Sequence, residues 1–385
     1  MTMIKHHTLV IAAAAAVAAM TASCSDRDKT ADIPVIDIAA HIGDDECDNI
    51  SDRIKIVNLF RPEFTDSTML TYPDIACKTD DRIYLYNYRT MFEFEYPSGR
   101  PVRVIDHRGE GPGEYTDIFG AIFDPDSSQW TVIDNQNRLI TYSADGSHLR
   151  TVTNDSIDYI FRSGNGNIIA ARNTFDRATR GINRDKVYYE YTPDMKFVGS
   201  YTLNTKRWKY LGSTYVDEVL PADGQIYIND GDTICRIDQA AGTLSPVIAI
   251  SYGDYGTDWS ELSTGEEVDA AKAKYFYPFL PEFNSRYLFV VYGTEANHRI
   301  IDRYYDVYSI TDGKLLFRQK ATQESRKNGS LTGVRLQVDG QEVAGWPRKL
   351  VENDHFFILI SADDMAGIAG TDEVNPVIAE VEITD

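Results

Sequence analysis

The sequence predicts an all-β protein, a six-bladed β-propeller with four-stranded blades, and three observations carry that prediction. From about residue 54 the chain is a succession of short aromatic and β-branched runs bounded by turn residues. One kind of corner recurs along it at intervals mostly in the forties. The last unit is one strand short, and a spare strand stands just before the first unit.

Residues 1–23 read as a secretory signal. Lys5, His6 and His7 give a weakly basic start, and Leu9 to Met20 is a 12-residue apolar run. That is too short to span a membrane, which takes about 20 residues. No later stretch reaches 18 apolar residues. Thr21-Ala22-Ser23-Cys24 resembles a bacterial lipoprotein processing box, with Thr21 where Leu is usual. The resemblance implies that Cys24 is lipidated and begins the mature chain, so that membrane contact is through the acyl anchor only. The alternative is an ordinary secretory signal with a chance Cys. Ser25-Asp26-Arg27-Asp28 resembles the acidic export tags of Bacteroidetes lipoproteins, which implies an outer-membrane lipoprotein at the cell surface, the alternative being the periplasmic face. The expected division is signal 1–23, lipidated tether 24–50 and propeller 51–385.

The repeat follows. Ile83-Tyr84-Leu85-Tyr86, Phe92-Glu93-Phe94-Glu95-Tyr96 and Trp130-Thr131-Val132-Ile133 are typical of the strands. The corners are Tyr96-Pro97-Ser98-Gly99, Tyr142 to Gly146, Tyr191 to Asp194, Ile237 to Gly242 and Tyr308 to Gly313. They lie 46, 49, 46 and 71 residues apart. Asp and Gly at a fixed offset suit a tight hairpin, because Gly accepts a positive φ without steric cost. The long interval predicts one helical insertion within 252–278. Ser263 and Thr264 stand three residues before Glu266 and Glu267 as capping boxes, and Pro278 stops the run. The final unit offers Trp346–Leu350, Phe356–Ile360 and Val377–Ile383, and Ile54–Leu59 supplies its fourth strand, closing the ring. Removal of the chain up to residue 50 is therefore expected to be harmless, and removal up to 62 damaging.

Composition narrows the function. Against 59 Asp and Glu there are 38 Lys and Arg, a formal charge of −21. Neutralising phosphates takes a surplus of cations, so nucleic acid is excluded as a partner. Beyond Cys24 the cysteines are Cys47, Cys77 and Cys235, without a CxxC, and read as small buried hydrophobes. His41, His107, His148, His298 and His355 are scattered. No metal, no cofactor and a monomeric state are expected. There is no G-x-S-x-G nucleophile elbow, and no acid pair stands out in so acidic a chain.

Arg108-Gly109-Glu110-Gly111-Pro112-Gly113-Glu114-Tyr115 is the most distinctive segment. It lacks the Lys-Ser/Thr of a phosphate loop, and Glu114 would repel phosphate. Its first reading is a structural corner in which Arg108 and Glu114 tie neighbouring blades. Its second is a ligand loop in which Arg108 forks onto a carboxylate, beside Glu114 and Tyr115. Asp134 and Asn135 end a second strand, where they either cap a turn or face the axis. Trp208, Tyr210 and Trp259 are rings that either pack inward or stack on sugar.

The Arg-Gly-x-Gly-Pro-Gly-Glu-Tyr string, the processing box, the early strand Ile33 to Asp37 and the repeated corners together resemble the six-bladed β-propeller lipoproteins of Bacteroidetes. Before the first blade that family usually reads Val/Ile-Pro-Leu-Glu-Thr, where this chain has Val57-Asn58-Leu59-Phe60-Arg61. The resemblance implies fold and location and transfers no catalytic residue, the family's function being largely unknown. The leading expectation is a cell-envelope binding module for a glycan, peptide or protein at the propeller funnel. The rival is a polysaccharide hydrolase or lyase with acids at the axis.

Overall fold

The computed structural model describes residues 33–44, 46–153, 157, 159–163, 165–171, 175–176, 181–182, 185–204, 219–222, 225–230, 232–238, 243–257, 262, 265–278, 281–296, 299–322, 332–352, 354–369 and 374–384. Six antiparallel four-stranded blades follow one another along the chain. Blade 1 is Asp74–Lys78, Arg82–Tyr86, Met91–Glu95 and Pro101–Ile105, and blade 2 is Ile118–Asp124, Gln129–Asp134, Arg138–Ser143 and His148–Thr153. Blade 3 is Tyr159–Arg162, Ile168–Ala171, Asp185–Tyr191 and Phe197–Asn204, and blade 4 is Val219–Ala222, Gln225–Asp230, Thr233–Asp238 and Thr243–Ser251. In blade 5 the first strand comes in two pieces, Tyr277–Pro278 and Glu282–Phe283, before Tyr287–Ala296, Arg299–Ser309 and Leu315–Thr322.

Blade 6 closes the ring as the strand count requires. Gln341–Glu352, His355–Ile360 and Val377–Ile383 are completed by Ile54–Phe60, which pairs antiparallel with the last strand from Ile54↔Ile383 to Phe60↔Ile378. The five corners are the hairpins between third and fourth strands of blades 1 to 5. Blade 6 has none because its fourth strand comes from the other end of the chain.

A sheet stacked between two others must be apolar on both faces, so the central strands carry unbroken buried runs rather than alternation. Val132 and Ile133 of one strand face opposite ways, and both are fully buried. Six hydrophobic clusters fill six seams, one between each pair of consecutive blades, including Phe60, Leu85, Phe94, Phe357 and Ile378 between blades 6 and 1.

Three features depart from expectation. The stretch taken as tether is built into the ring from Pro34 on. Val35–Asp37 lies parallel to the outer strand of blade 4, and Cys47–Asp48 pairs with the outer strand of blade 5. Ile36, Ile38 and Ile50 are fully buried, the first two in the seam between blades 4 and 5. This strap is short and flanked by acids, so its few apolar residues do not show as a repeat. Among the described residues there are also two α-helices where one was expected. The first is Gly265–Lys274, while Pro278 already belongs to blade 5, and Ser263 and Thr264 lie outside the described residues. The second is Ala362–Ala369, between the second and third strands of blade 6. Ser361 caps it by accepting from the Asp364 N–H at 3.1 Å and donating to its carboxylate at 2.7 Å. Thirdly, Val334–Val338 forms a hairpin with the start of Gln341–Glu352 and wedges Val334, Leu336 and Val338 into the seam between blades 5 and 6. Among the described residues no helix is long and apolar enough to cross a membrane, and Cys47, Cys77 and Cys235 are free thiols.

Candidate functional site

Antiparallel pairing sends every link from an outer strand to the next inner strand, and every loop between second and third strands, to one face of the disc. Both described helices, the Arg108–Tyr115 loop and the 61–73 link belong to that face, whereas the turns joining first to second and third to fourth strands lie on the other. A recognition site built on loops therefore falls here.

The Arg108–Tyr115 loop is stitched to itself and to blade 2. Arg108 and Tyr115 pair as an isolated bridge, and Gly109 N–H donates to the Tyr115 carbonyl at 2.9 Å. Glu114 curls back to accept from Gly111 N–H at 2.8 Å, and a Cβ on Gly109 would fall 1.9 Å from its Oε2. Gly113 has a φ of +78°, and a Cβ there would meet the His148 ring at 2.4 Å. Its carbonyl accepts from the buried Tyr142 hydroxyl at 2.8 Å. The glycines are thus demanded by packing.

Arg108 forks onto Asp106, with Nε 2.8 Å from Oδ1 and Nη2 2.7 Å from Oδ2. Those bonds hold the Asp106 carboxyl below its ordinary range. Nearly half exposed, Arg108 has already spent its fork on a carboxylate of its own chain. Tyr115 and Asp134 are fully buried and so cannot touch a ligand. Burial pushes the Tyr115 hydroxyl up to about 12. Asp134 pairs with Arg138, which donates from Nε at 2.8 Å and from Nη2 to the Glu114 carbonyl, also at 2.8 Å. Asp134 and Arg138 are therefore the post that fixes the loop. Asn135 is exposed on the same face, accepting from Thr116 Oγ1 and reaching Asp117 at 3.5 Å. Trp208, Tyr210, Trp259 and Cys24 lie outside the described residues.

Beside this loop stand three side chains that the sequence reading missed. The pairing of the first two strands of blade 2 slips between Ile118 and Gly120, so Phe119 is the extra residue of a bulge. Bulges re-aim side chains, and Phe119 emerges 57% exposed near the start of the strand nearest the axis. Ile118 N–H donates to the Tyr88 carbonyl at 2.8 Å, which places the Asn87–Thr90 loop of blade 1 against it. Tyr88 is 47% exposed, and Arg89 stacks on it with the guanidinium carbon 4.8 Å from the ring centroid. Asn87 Oδ1 pins this loop by accepting from the N–H groups of Arg89 and Thr90 at 2.9 and 2.8 Å. No carboxylate pairs with Arg89 among the described residues. In sequence, the only signal was an aromatic and a cation, Tyr88 and Arg89, between the runs Ile83–Tyr86 and Phe92–Tyr96.

A second polar cluster is structural. Arg318 and Asp306 in blade 5 are both buried, with Nη2 2.6 Å from Oδ2. The hydroxyls of Tyr292 and Tyr308 donate to the same carboxylate, and Arg318 also donates to the His41 carbonyl of the strap. Among the described residues no group of three or more His, Cys, Asp or Glu could hold a metal.

Six four-stranded sheets around one axis define a six-bladed β-propeller. Within that class, the chain belongs to the family described as Domain of unknown function (DUF4934), which matches residues 33–381. No curated protein matches the sequence. A protein of Bacteroides fragilis described as exported superposes with a TM-score of 0.65 at 16% identity, covering 91% of this chain and 100% of its own. A member of the duf4221 family from Bacteroides vulgatus is similar at a TM-score of 0.48 and 10% identity, covering 88% and 100%. BamB from Moraxella catarrhalis is similar at 0.44 and 11%, covering 86% and 99%. At these identities the likeness is one of fold.

Proposed function

We propose that this protein is a cell-envelope binding module, lipid-anchored through Cys24, that captures a glycan, peptide or protein ligand at the mouth of blades 1 and 2. One observation carries the reading: a bulge in the innermost strand of blade 2 turns a phenylalanine out of the core and into solvent beside Tyr88. A large apolar ring gains nothing from water, and a single residue deleted from the bulge would return the ladder to register. The exported Bacteroides fragilis neighbour supports an address outside the cytoplasm. The test is an array of glycans and peptides probed with wild type and with Phe119→Ala/Tyr88→Ala. The variant is expected to keep its melting temperature within about 2 °C, since both rings are already solvated, and to lose every signal the wild type gives. Equal array profiles would refute the site. Palmitate labelling of wild type against Cys24→Ser tests the anchor, and labelling that persists in the variant refutes it.

A further inference from the structure

Resting on that reading of the mouth, we infer that its ligand is an anionic oligosaccharide, a sugar chain carrying ring carboxylates, and that Arg89 rather than Arg108 recognises the charge. Arg89 and Arg108 differ in what already holds them. Arg108 is closed on Asp106 by a two-pronged contact at 2.7–2.8 Å. Arg89 is exposed, touches only the Tyr88 ring among the described residues, and keeps its donors free. In a chain of net charge −21, Arg89 is a guanidinium that no carboxylate holds among the described residues, so it draws an anion in, and its planar fork matches a carboxylate.

A sugar fits better than a peptide for a reason of backbone chemistry. Extended peptides commonly bind by adding a strand to unpaired backbone groups at a sheet edge. Here Ile118 N–H is given to Tyr88, Gly109 N–H to Tyr115, Tyr115 N–H to His107 and Asn87 N–H to Thr90. With these donors spent, side chains are the main means of recognition among the described residues: two exposed rings, the Arg89 guanidinium, and the hydroxyl and amide of Thr116 and Asn135. Flat rings with polar neighbours suit pyranose faces and their hydroxyls. Among the described residues Asp117, beside Asn135, and Glu110, in the loop, are carboxylates that oppose an anion here, so the preference rests on Arg89 having no carboxylate partner of its own.

The test titrates the full chain with trigalacturonate, with its carboxyl-reduced neutral counterpart and with a penta-glutamate peptide. Wild type is expected to prefer the acidic trimer to the neutral one by about tenfold, the scale of one charge-assisted contact, and to ignore the peptide. Arg89→Ala should bring the two sugars to parity without weakening the neutral one, and Arg108→Ala should leave the preference in place. Failure of the acidic trimer to bind at millimolar concentration, an unchanged preference in Arg89→Ala, or peptide binding as tight as sugar each overturns the inference. The site itself falls separately, if Phe119→Ala/Tyr88→Ala leaves all binding intact.

Discussion

Glu380 shows how much one carboxylate can hold. It sits buried in the last strand and accepts from the Tyr96 hydroxyl of blade 1, from Asn58 of the closing strand at 3.2 Å and from His355 at 2.8 Å, with Lys78 Nζ 3.9 Å away. Burial by itself would raise its pKa, but these donors outweigh it and leave the carboxyl below its ordinary 4.5. A carboxylate depressed in the fold stabilises above the unfolded-state value and loses that contribution as pH falls through the folded-state value. Melting temperature should therefore drop on acidification below about 4.5, and Glu380→Gln should flatten part of that drop while costing about 1–3 kcal/mol at neutral pH. A Glu380→Gln profile parallel to wild type would show that other groups set the acid limb. Glycine gives a second residue-scale test. Gly113→Ala should lower the urea midpoint by the equivalent of about 1–3 kcal/mol, since its φ is left-handed and His148 blocks the new methyl. Gly199→Ala, with nothing within 4 Å, should leave it almost unchanged. At this scale the sequence told little of the site. Arg108, Glu114 and Asn135 were legible as a loop and a turn, but the bulge at Phe119 is one extra residue in a ladder, and no local pattern encodes it.

The strap is the element whose weight was hidden. Its isoleucines stand in a polar stretch, so neither period nor composition marks them, yet Ile36, Ile38 and Ile50 are as buried as any residue of the core. Burying each such side chain contributes about 1.5–3 kcal/mol before ordering entropy. A chain starting at residue 51 should accordingly be less stable than one starting at residue 33 by about 3 kcal/mol or more, measured by denaturant unfolding, which reverses the expectation of a harmless truncation. Identical unfolding curves would return the strap to the role of tether. Its loss also strips a carbonyl partner from Arg318, the cation of a fully buried pair. Breaking that pair outright, as in Asp306→Asn, should cost about 3–5 kcal/mol because the guanidinium is left uncompensated. The reason the pair escaped notice is spacing: its partners lie on different strands and meet only once blade 5 is folded.

For the whole molecule, six blades were countable because each hairpin between third and fourth strands needs its own turn residues. The one blade without such a turn announced where the chain closes. Insertions and the wedge hairpin left only length as a trace, so their shape had to come from the structure. That closure has a consequence in time as well as in space. Ile54–Phe60 precedes its partner Val377–Ile383 by the whole ring, so this strand of blade 6 waits through the synthesis of more than three hundred residues before its partner exists. Pairings so distant in sequence form slowly, and the waiting strand is an open edge throughout. Blades 1 to 5 are expected to gain hydrogen-exchange protection first on refolding, with residues 54–60 and 377–383 protected together in the slowest phase. Early protection of 54–60 would mean that this strand finds a provisional partner, and the maturation of the protein would then include letting it go.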